Sequence, residues 1–431
     1  MKVVSIEIQN LKGFEYKELS LDGNFTLLVG ENGSGKTTIL EALKFGLPYL
    51  VQQATNDSPE RAPLDRSHVR QTGSVVGDAF VFKEHLPLSV SMTYRWEEEE
   101  FVLSCQNNGH DWSYSDSKPN MGSLMFAPPG DSYPVLAYYR ATAFLSASNL
   151  DWNMVMRSRP KRKDGYLDWF SSEASSTLLI QWLGAQEAIF FQERIKPKAY
   201  QAVADAIVNC LPDALDVRFD AKQGEPVVEW NDGSLLPFSM LSDGQRGILA
   251  LVGDIARRCA VLNPHLGASA PENTPGVVLI DELDAYLHPR WQKRVVGDLK
   301  RTFPQIQFVA TSHSPFVIQS LDPGELRNLD GRTDLEYWHR SLEDIADVVM
   351  GVENPSRSLR YQEMLGAAEE YFGLLKSDTD NEEVLSKARS KFHTHSAKFA
   401  PTPAMEALLK LEGIAQEAKR GTRNEAGGQG Q

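Results

Sequence analysis

A chain of 431 residues that is 42% hydrophobic and 24% charged has the composition of an ordinary globular protein, long enough for one large domain with additions or for two domains. Its 58 acidic against 44 basic side chains leave a formal net charge of -14, which argues against wholesale coating of nucleic acid, because neutralising phosphates takes clustered cations. A local basic groove or a basic partner stays open. Cys105, Cys210 and Cys259 are too few and too scattered for a disulfide framework or a cysteine-based zinc site, so they read as buried thiols in a reducing cytoplasm.

The N-terminus, MKVVSIEIQNLKGF, alternates like a strand and lacks the apolar core of a signal peptide. No stretch approaches the roughly 18 apolar residues of a membrane span, so a cytoplasmic protein without membrane contact is expected. Residues 3–8 (VVSIEI) and 25–29 (FTLLV) predict strands, the second running through a Gly-rich turn into the helical run TTILEALKFGL. From about residue 50 to 75 the chain is polar, with Pro48, Pro59 and Pro63 in or beside it, and predicts a loop or short insertion. LSVSMTYRW and FVLSC then alternate with period two, and VLAYY repeats the pattern, which predicts an antiparallel sheet arm. The run Glu97–Glu100 reads as a solvated strand end or turn.

RSRPKRKD (157–164) is basic and turn-like and leads into a helical zone of about 166–210 that carries Trp169, Trp182, Phe190 and Phe191. Such a series on helices is more often core than a platform for stacking bases. After residue 330 the composition turns helical, breaks at Gly351–Pro355, and ends in GTRNEAGGQGQ, which predicts disorder. The expected organisation is a head over 1–330 with a β arm and helical lobe inserted at about 51–235, a helical region over 331–420, and a disordered tail over 421–431. Neither an internal repeat nor a long heptad pattern is present.

Gly30-Glu31-Asn32-Gly33-Ser34-Gly35-Lys36-Thr37 fits G-x-x-x-x-G-K-[ST] between a predicted strand and a predicted helix. Glycines let the backbone curl so that successive N–H groups meet phosphate, and the helix N-terminus adds partial positive charge. Gly30, Asn32, Gly33, Ser34, Gly35, Lys36, Thr37 and Thr38 are therefore the expected nucleotide contacts, with Lys36 bridging the outer phosphates of ATP and the Thr37 hydroxyl on Mg2+.

Val277-Val278-Leu279-Ile280 is a four-residue apolar strand ending in Asp281-Glu282, a Walker B pattern. Asp281 is placed to hold Mg2+ through water, and Glu282, one residue on, to orient and deprotonate an attacking water. Alone, an acidic pair ending a strand is usually a solvated loop start; downstream of a P-loop the odds reverse. Leu241-Ser242-Asp243-Gly244-Gln245-Arg246 precedes an amphipathic run, and Ser242 there is at least a helix N-cap. Its position between P-loop and Walker B favours a second reading, in which the segment is similar to the ABC signature; that resemblance implies that Ser242, Gly244 and Gln245 bind the γ-phosphate of an ATP held by another subunit. Last comes a strand, Ile306–Ala310, followed by Thr311-Ser312-His313-Ser314-Pro315; a lone His is normally structural, but the resemblance named next implies that His313, in this place, senses that phosphate and holds the attacking water.

With these residues in order, the chain resembles the ABC ATPases of the SMC, RecF and OLD group. IEIQNLKGFEYKELSL with LLVGENGSGKTTILEAL looks like that group's opening, and IDELDAYLHPRWQ and ATSHSPFVI look like its OLD and RecF-like branch. The match is good over about residues 1–50 and 235–320. LEDIADVVMGVENPS (342–356) and the helices after it are similar to the tails of the stand-alone branch that includes the ATPases of the Septu antiphage system and of retrons. The resemblance implies an α/β ABC-type head, with a P-loop mixed sheet, an antiparallel β arm and an α-helical lobe, plus a helical C-terminal region. It also implies ATP and Mg2+ as cofactors, a head-to-tail homodimer or higher even oligomer closed around ATP, and control of an effector nuclease encoded nearby. Any nucleic acid would be met through a partner or a local groove.

Departures from the family narrow this. The Q-loop glutamine has no match; by order its place follows Val135–Tyr139, and Arg140 stands there. The long coiled coil of SMC and break-repair proteins is missing. Leu411-Glu412-Gly413 looks like a Toprim opening, but too little chain follows it, so no nuclease activity of the chain's own is expected. Asp378-Thr379-Asp380 and His393-Thr394-His395 read as surface. A RecF-like DNA-binding repair ATPase is the alternative, and a transporter motor subunit fits poorly.

Overall fold

The computed structural model describes residues 1–55, 64, 66–77, 79–96, 99–109, 112–116, 132–140, 161–170, 175–331, 337–352, 358–376 and 382–398. They belong to two compact units, Met1–Met350 and Gly351–Gln431. The first unit therefore ends at Met350 and not at residue 330, because Tyr337, Ile345 and Val349 are buried in its core.

Its strands, numbered along the chain, are β1 (Lys2–Leu11), β2 (Phe14–Ser20), β3 (Phe25–Val29), β4 (Gln71–Val76), β5 (Ala79–Glu84), β6 (Leu88–Trp96), β7 (Glu99–Asn107), β8 (Trp112–Asp116), β9 (Val135–Arg140), β10 (Ala214–Asp220), β11 (Glu225–Trp230), β12 (Leu235–Pro237), β13 (Gly276–Asp281), β14 (Ile306–Thr311) and β15 (Leu326–Asn328). A central sheet in the order β15-β3-β14-β13-β9 is parallel throughout. Every residue of β3, β13 and β14 is buried, as expected of parallel strands covered on both faces. The C-terminal ends of these strands carry the P-loop, Walker B and His313 segments to one edge of the sheet.

VLAYY is not part of an antiparallel arm. It is β9, an edge of the parallel sheet, in register with β13 from Val135 opposite Gly276 to Arg140 opposite Asp281. Val135–Tyr139 are all buried, so the run has two covered faces and the apparent alternation carries no information. The arm strands β6, β7 and β8 instead extend the sheet begun by β2 and β1, in the order β2-β1-β6-β7-β8. There the period-two reading holds, with Leu88, Val90, Met92 and Tyr94 of β6 turned inward.

Helix α1 (Lys36–Thr55) follows β3, and α2 (Ser175–Glu193), α3 (Lys198–Cys210) and α4 (Asp243–Leu262) form the helical lobe. Trp169 and Trp182 are core residues, whereas Phe191 at the end of α2 is 71% exposed and departs from the core reading of that series. Helix α4 is buried at every position from Ile248 to Leu262. A helix covered all round must pair its polar residues, and it does: Asp254 accepts from Arg257 Nε at 2.9 Å, Arg258 Nε at 2.8 Å and the Tyr139 phenol at 2.9 Å. Burial alone would raise the Asp254 carboxyl, but the Arg258 and Arg257 guanidiniums outweigh it and hold it below the ordinary value. The buried Cys259 and Cys210 thiols are pushed up to about 12 and about 11 by desolvation and are not nucleophilic.

In the second unit, α5 (Leu359–Lys376) and α6 (Glu382–Lys398) pack through Ala367, Ala368, Tyr371 and Phe372 against Ala388 and Phe392, with the Tyr371 and Phe392 rings stacked at 5.9 Å. His393 and Thr394 are exposed, and His395 lies 3.8 Å from Glu363. Asp378-Thr379-Asp380, Leu411-Glu412-Gly413 and the 421–431 tail lie outside the described residues.

Candidate functional site

Strand β3 delivers the chain into Gly30–Gly35, and α1 starts at Lys36. Gly33 and Gly35 have φ of 88° and 95°, the left-handed region that glycine enters without strain. At Gly35 a Cβ would also lie 2.3 Å from the Phe14 ring, so space as well as conformation demands glycine. Lys36 is only 9% exposed, and its Nζ donates to Gly30 O at 2.8 Å and Glu31 O at 2.9 Å. Burial lowers its pKa, while Asp330, Asp281 and Glu282 push the other way. Asp330, just beyond β15, accepts from Glu31 N at 2.9 Å and so ties the loop to the sheet edge.

Ser34 Oγ is buried without a hydrogen-bond partner, the kind of orphan that a bound ligand satisfies. Nothing lies within 4 Å of a Cβ at Gly33, and Asn32 is exposed, so the loop is open on that side. Thr38 is buried in the first turn of α1.

The Thr37 hydroxyl faces both oxygens of Asp281 at 3.2 and 3.4 Å. Thr311 Oγ1, from the end of β14, donates to Asp281 Oδ1 at 2.7 Å and accepts from Glu282 N at 2.7 Å. Residues from α1, β13 and β14 thus meet at one carboxylate. Hydroxyl and carboxylate oxygens are the donors a hard cation such as Mg2+ prefers, so the set fits that ion. Glu282 turns off the strand with φ of 58°, and its side chain is exposed. A left-handed non-glycine residue stores about 1–3 kcal/mol of strain.

His313 is exposed and held through its backbone, its N–H donating to Asp284 Oδ1 at 3.2 Å. Gln292 braces the same loop pair: its Nε2 donates to the Asp284 and Leu287 carbonyls at 3.0 Å, and its Oε1 accepts from Ser314 Oγ at 2.7 Å.

The Ser242 segment is built otherwise. Ser242 Oγ caps α4 by accepting from Gln245 N and donates to Gln245 Oε1 at 2.9 Å, a capping box at an exposed helix start. A Cβ on Gly244 would stand 2.6 Å from Tyr286 O, so glycine there is needed for packing within the chain. A cleft between Asp243, Gly247 and Ile248 and the loop of Glu282, Leu283 and Tyr286 sets this helix start beside the Walker B loop. Among the described residues no hydrogen bond joins Ser242 or Gln245 to the P-loop.

Sequence reasoning assigned no role to Thr311, Asp284, Gln292 or Asp330. Thr311 had one usable signal, a polar residue closing the otherwise apolar end of IQFVAT. The others act through contacts that spacing does not encode.

A family model described as "AAA ATPase domain" matches residues 1–66, and one described as "AAA domain, putative AbiEii toxin, Type IV TA system" matches residues 191–319. The chain is 26% identical to the "Retron Ec83 probable ATPase" of Escherichia coli, over 96% of this chain and 86% of that protein. It is 23% identical to the Septu protein PtuA of Bacillus thuringiensis, over 95% of this chain and 97% of that protein. Among solved structures, the SMC head domain from Thermotoga maritima is 14% identical with a TM-score of 0.43, over 76% of this chain and 94% of that one. In motif order, and in sequence along nearly its whole length, the chain resembles the retron and Septu ATPases, and AAA family models match both its P-loop region and its Walker B region.

Proposed function

We propose that the protein binds and hydrolyses ATP between two copies of its head and uses the resulting closure to control a partner effector, a nuclease, in antiphage defence. The observation that carries the reading is the meeting of Thr37, Asp281 and Thr311 beneath a glycine loop whose Ser34 hydroxyl is buried and unpaired. In this reading Lys36 exchanges the Gly30 and Glu31 carbonyls for phosphate oxygens. Thr37 and Asp281 hold Mg2+, which when bound neutralises phosphate charge. Glu282 takes the proton of the attacking water, and His313 orients that water from the opposite loop.

Ser242, Gly244 and Gln245 serve the ATP of a second copy; α4 opens at an exposed start that, among the described residues, makes no hydrogen bond to its own P-loop. The defence role rests on similarity to the retron and Septu ATPases along almost their full lengths. Mixing tests the arrangement: Ser242→Arg and Lys36→Ala proteins should each be inactive, yet together rebuild one composite site with intact Lys36 from one chain and intact Ser242 from the other. Turnover that scales linearly with enzyme down to monomer concentrations would refute the shared site.

A further inference from the structure

Arg140 ends β9 in register with Asp281 at the end of β13, and neighbouring strands lie about 4.8 Å apart. Its Nε is 3.7 Å from Asp281 Oδ2, and its side chain is 51% exposed where that of Asp281 is 9% exposed. The other groups on this carboxylate are the neutral hydroxyls of Thr311 and Thr37. Among the described residues Arg140 is therefore the one cation within ion-pair distance of Asp281. Lys36 is engaged elsewhere, on the Gly30 and Glu31 carbonyls.

An acidic side chain facing a phosphate loop repels the ligand that the loop is shaped to hold, unless a positive charge stands beside it. We propose that Arg140 is that charge: it neutralises Asp281 while no divalent cation is bound, and turns to the phosphate oxygens when Thr37 and Asp281 take one. The inference rests on the ATP-site reading above and adds a specificity residue to it. The contact is loose, well beyond the roughly 2.7–2.9 Å of a closed guanidinium–carboxylate bond, and half in water, so release costs little. The strand beneath it is buried from Val135 to Tyr139 and paired with β13 along its length, which keeps the guanidinium at the site after release. A planar fork of donors suits phosphate as well as carboxylate.

Calorimetric titration of the full chain with ATP, once with Mg2+ and once with EDTA, tests this on the wild type, Arg140→Ala, Arg140→Gln and Arg140→Lys. Loss of one charge-assisted contact predicts about tenfold weaker binding of metal-free ATP by Arg140→Ala and Arg140→Gln, against less than about threefold for Mg-ATP. Arg140→Lys, which keeps the charge, should recover most of the metal-free loss. In the absence of nucleotide, Mg2+ should raise the Tm of Arg140→Ala more than that of the wild type, because Asp281 is no longer shared. Equal losses with and without Mg2+, or none in either, overturn the proposal. A wild type that binds no ATP in either buffer would instead overturn the ATP-site reading on which it stands.

Discussion

The two helix N-termini to which the proposed function assigns the phosphate contacts are built in opposite ways. Helix α1 opens on Lys36, which is buried and bonded to the Gly30 and Glu31 carbonyls of its own loop, and the next residue, Thr37, meets Asp281 together with Thr311 and Arg140 from neighbouring strands. Helix α4 opens on Ser242, which is exposed and closed on its own Gln245. The first leaves a buried hydroxyl, Ser34 Oγ, without a partner, which the proposed nucleotide would satisfy. The second is satisfied as a cap with no ligand at all, so its folding does not depend on what it later binds. The contrast teaches that, in the shared site proposed above, one half is preorganised and the other half is merely stable and presented.

The sharpest way to break this comparison is to remove the base from the preorganised half. Glu282→Gln should keep ATP binding while turnover falls by about 10² to 10⁴, the range for losing a general base, with an ATP-bound dimer persisting in size-exclusion chromatography. Near-native turnover would move the base elsewhere, with His313 next in line.

Next in size is the brace between the halves. Asp254→Asn leaves the buried Arg257 and Arg258 without their carboxylate and should lower stability by about 3–5 kcal/mol in urea unfolding at pH 7. Because the folded-state pKa of Asp254 lies below its unfolded value, its contribution is present at neutral pH and is lost as pH falls through that lowered value. The gap between variant and wild type should therefore narrow only in strong acid. A gap that stays constant from pH 7 to acid would refute the depressed carboxyl.

Lys36→Ala removes the loop's only side-chain cation and should weaken ATP binding by about 100-fold or more in calorimetry, the upper worth of a charged hydrogen bond. Unchanged affinity in a folded variant would sink the P-loop assignment. The smallest expected effect sharpens the comparison most. Asp caps helices as well as Ser, so Ser242→Asp should shift stability by less than about 0.5 kcal/mol. A carboxylate there would repel an incoming γ-phosphate, so ATP-dependent dimerisation should fail. If dimerisation survives, Ser242 is a cap and nothing more.

The P-loop and Walker B were legible because their chemistry is local: the glycines, Lys36 and Thr37 sit within eight consecutive positions, and Asp281-Glu282 ends a visibly apolar strand. Period two located β6 and β7 correctly because only one of their faces is buried. It misplaced VLAYY, since β9 is covered on both faces and its even burial leaves no alternation to read. That error hid the register of Arg140 with Asp281, for order along the chain does not say which strand lies beside which.

The sequence by itself determined the residue types of the phosphate loop, the paired carboxylates and the helix cap, because each follows from backbone geometry over a few neighbouring positions. Only the strand order β15-β3-β14-β13-β9 decided that Thr311 would bond Asp281, that Asp330 would hold the P-loop, and that Tyr139 would reach Asp254. These contacts join residues far apart in the chain, and what selects them is the burial of whole strands and of α4 in one core, a cooperative outcome that no short window of sequence contains.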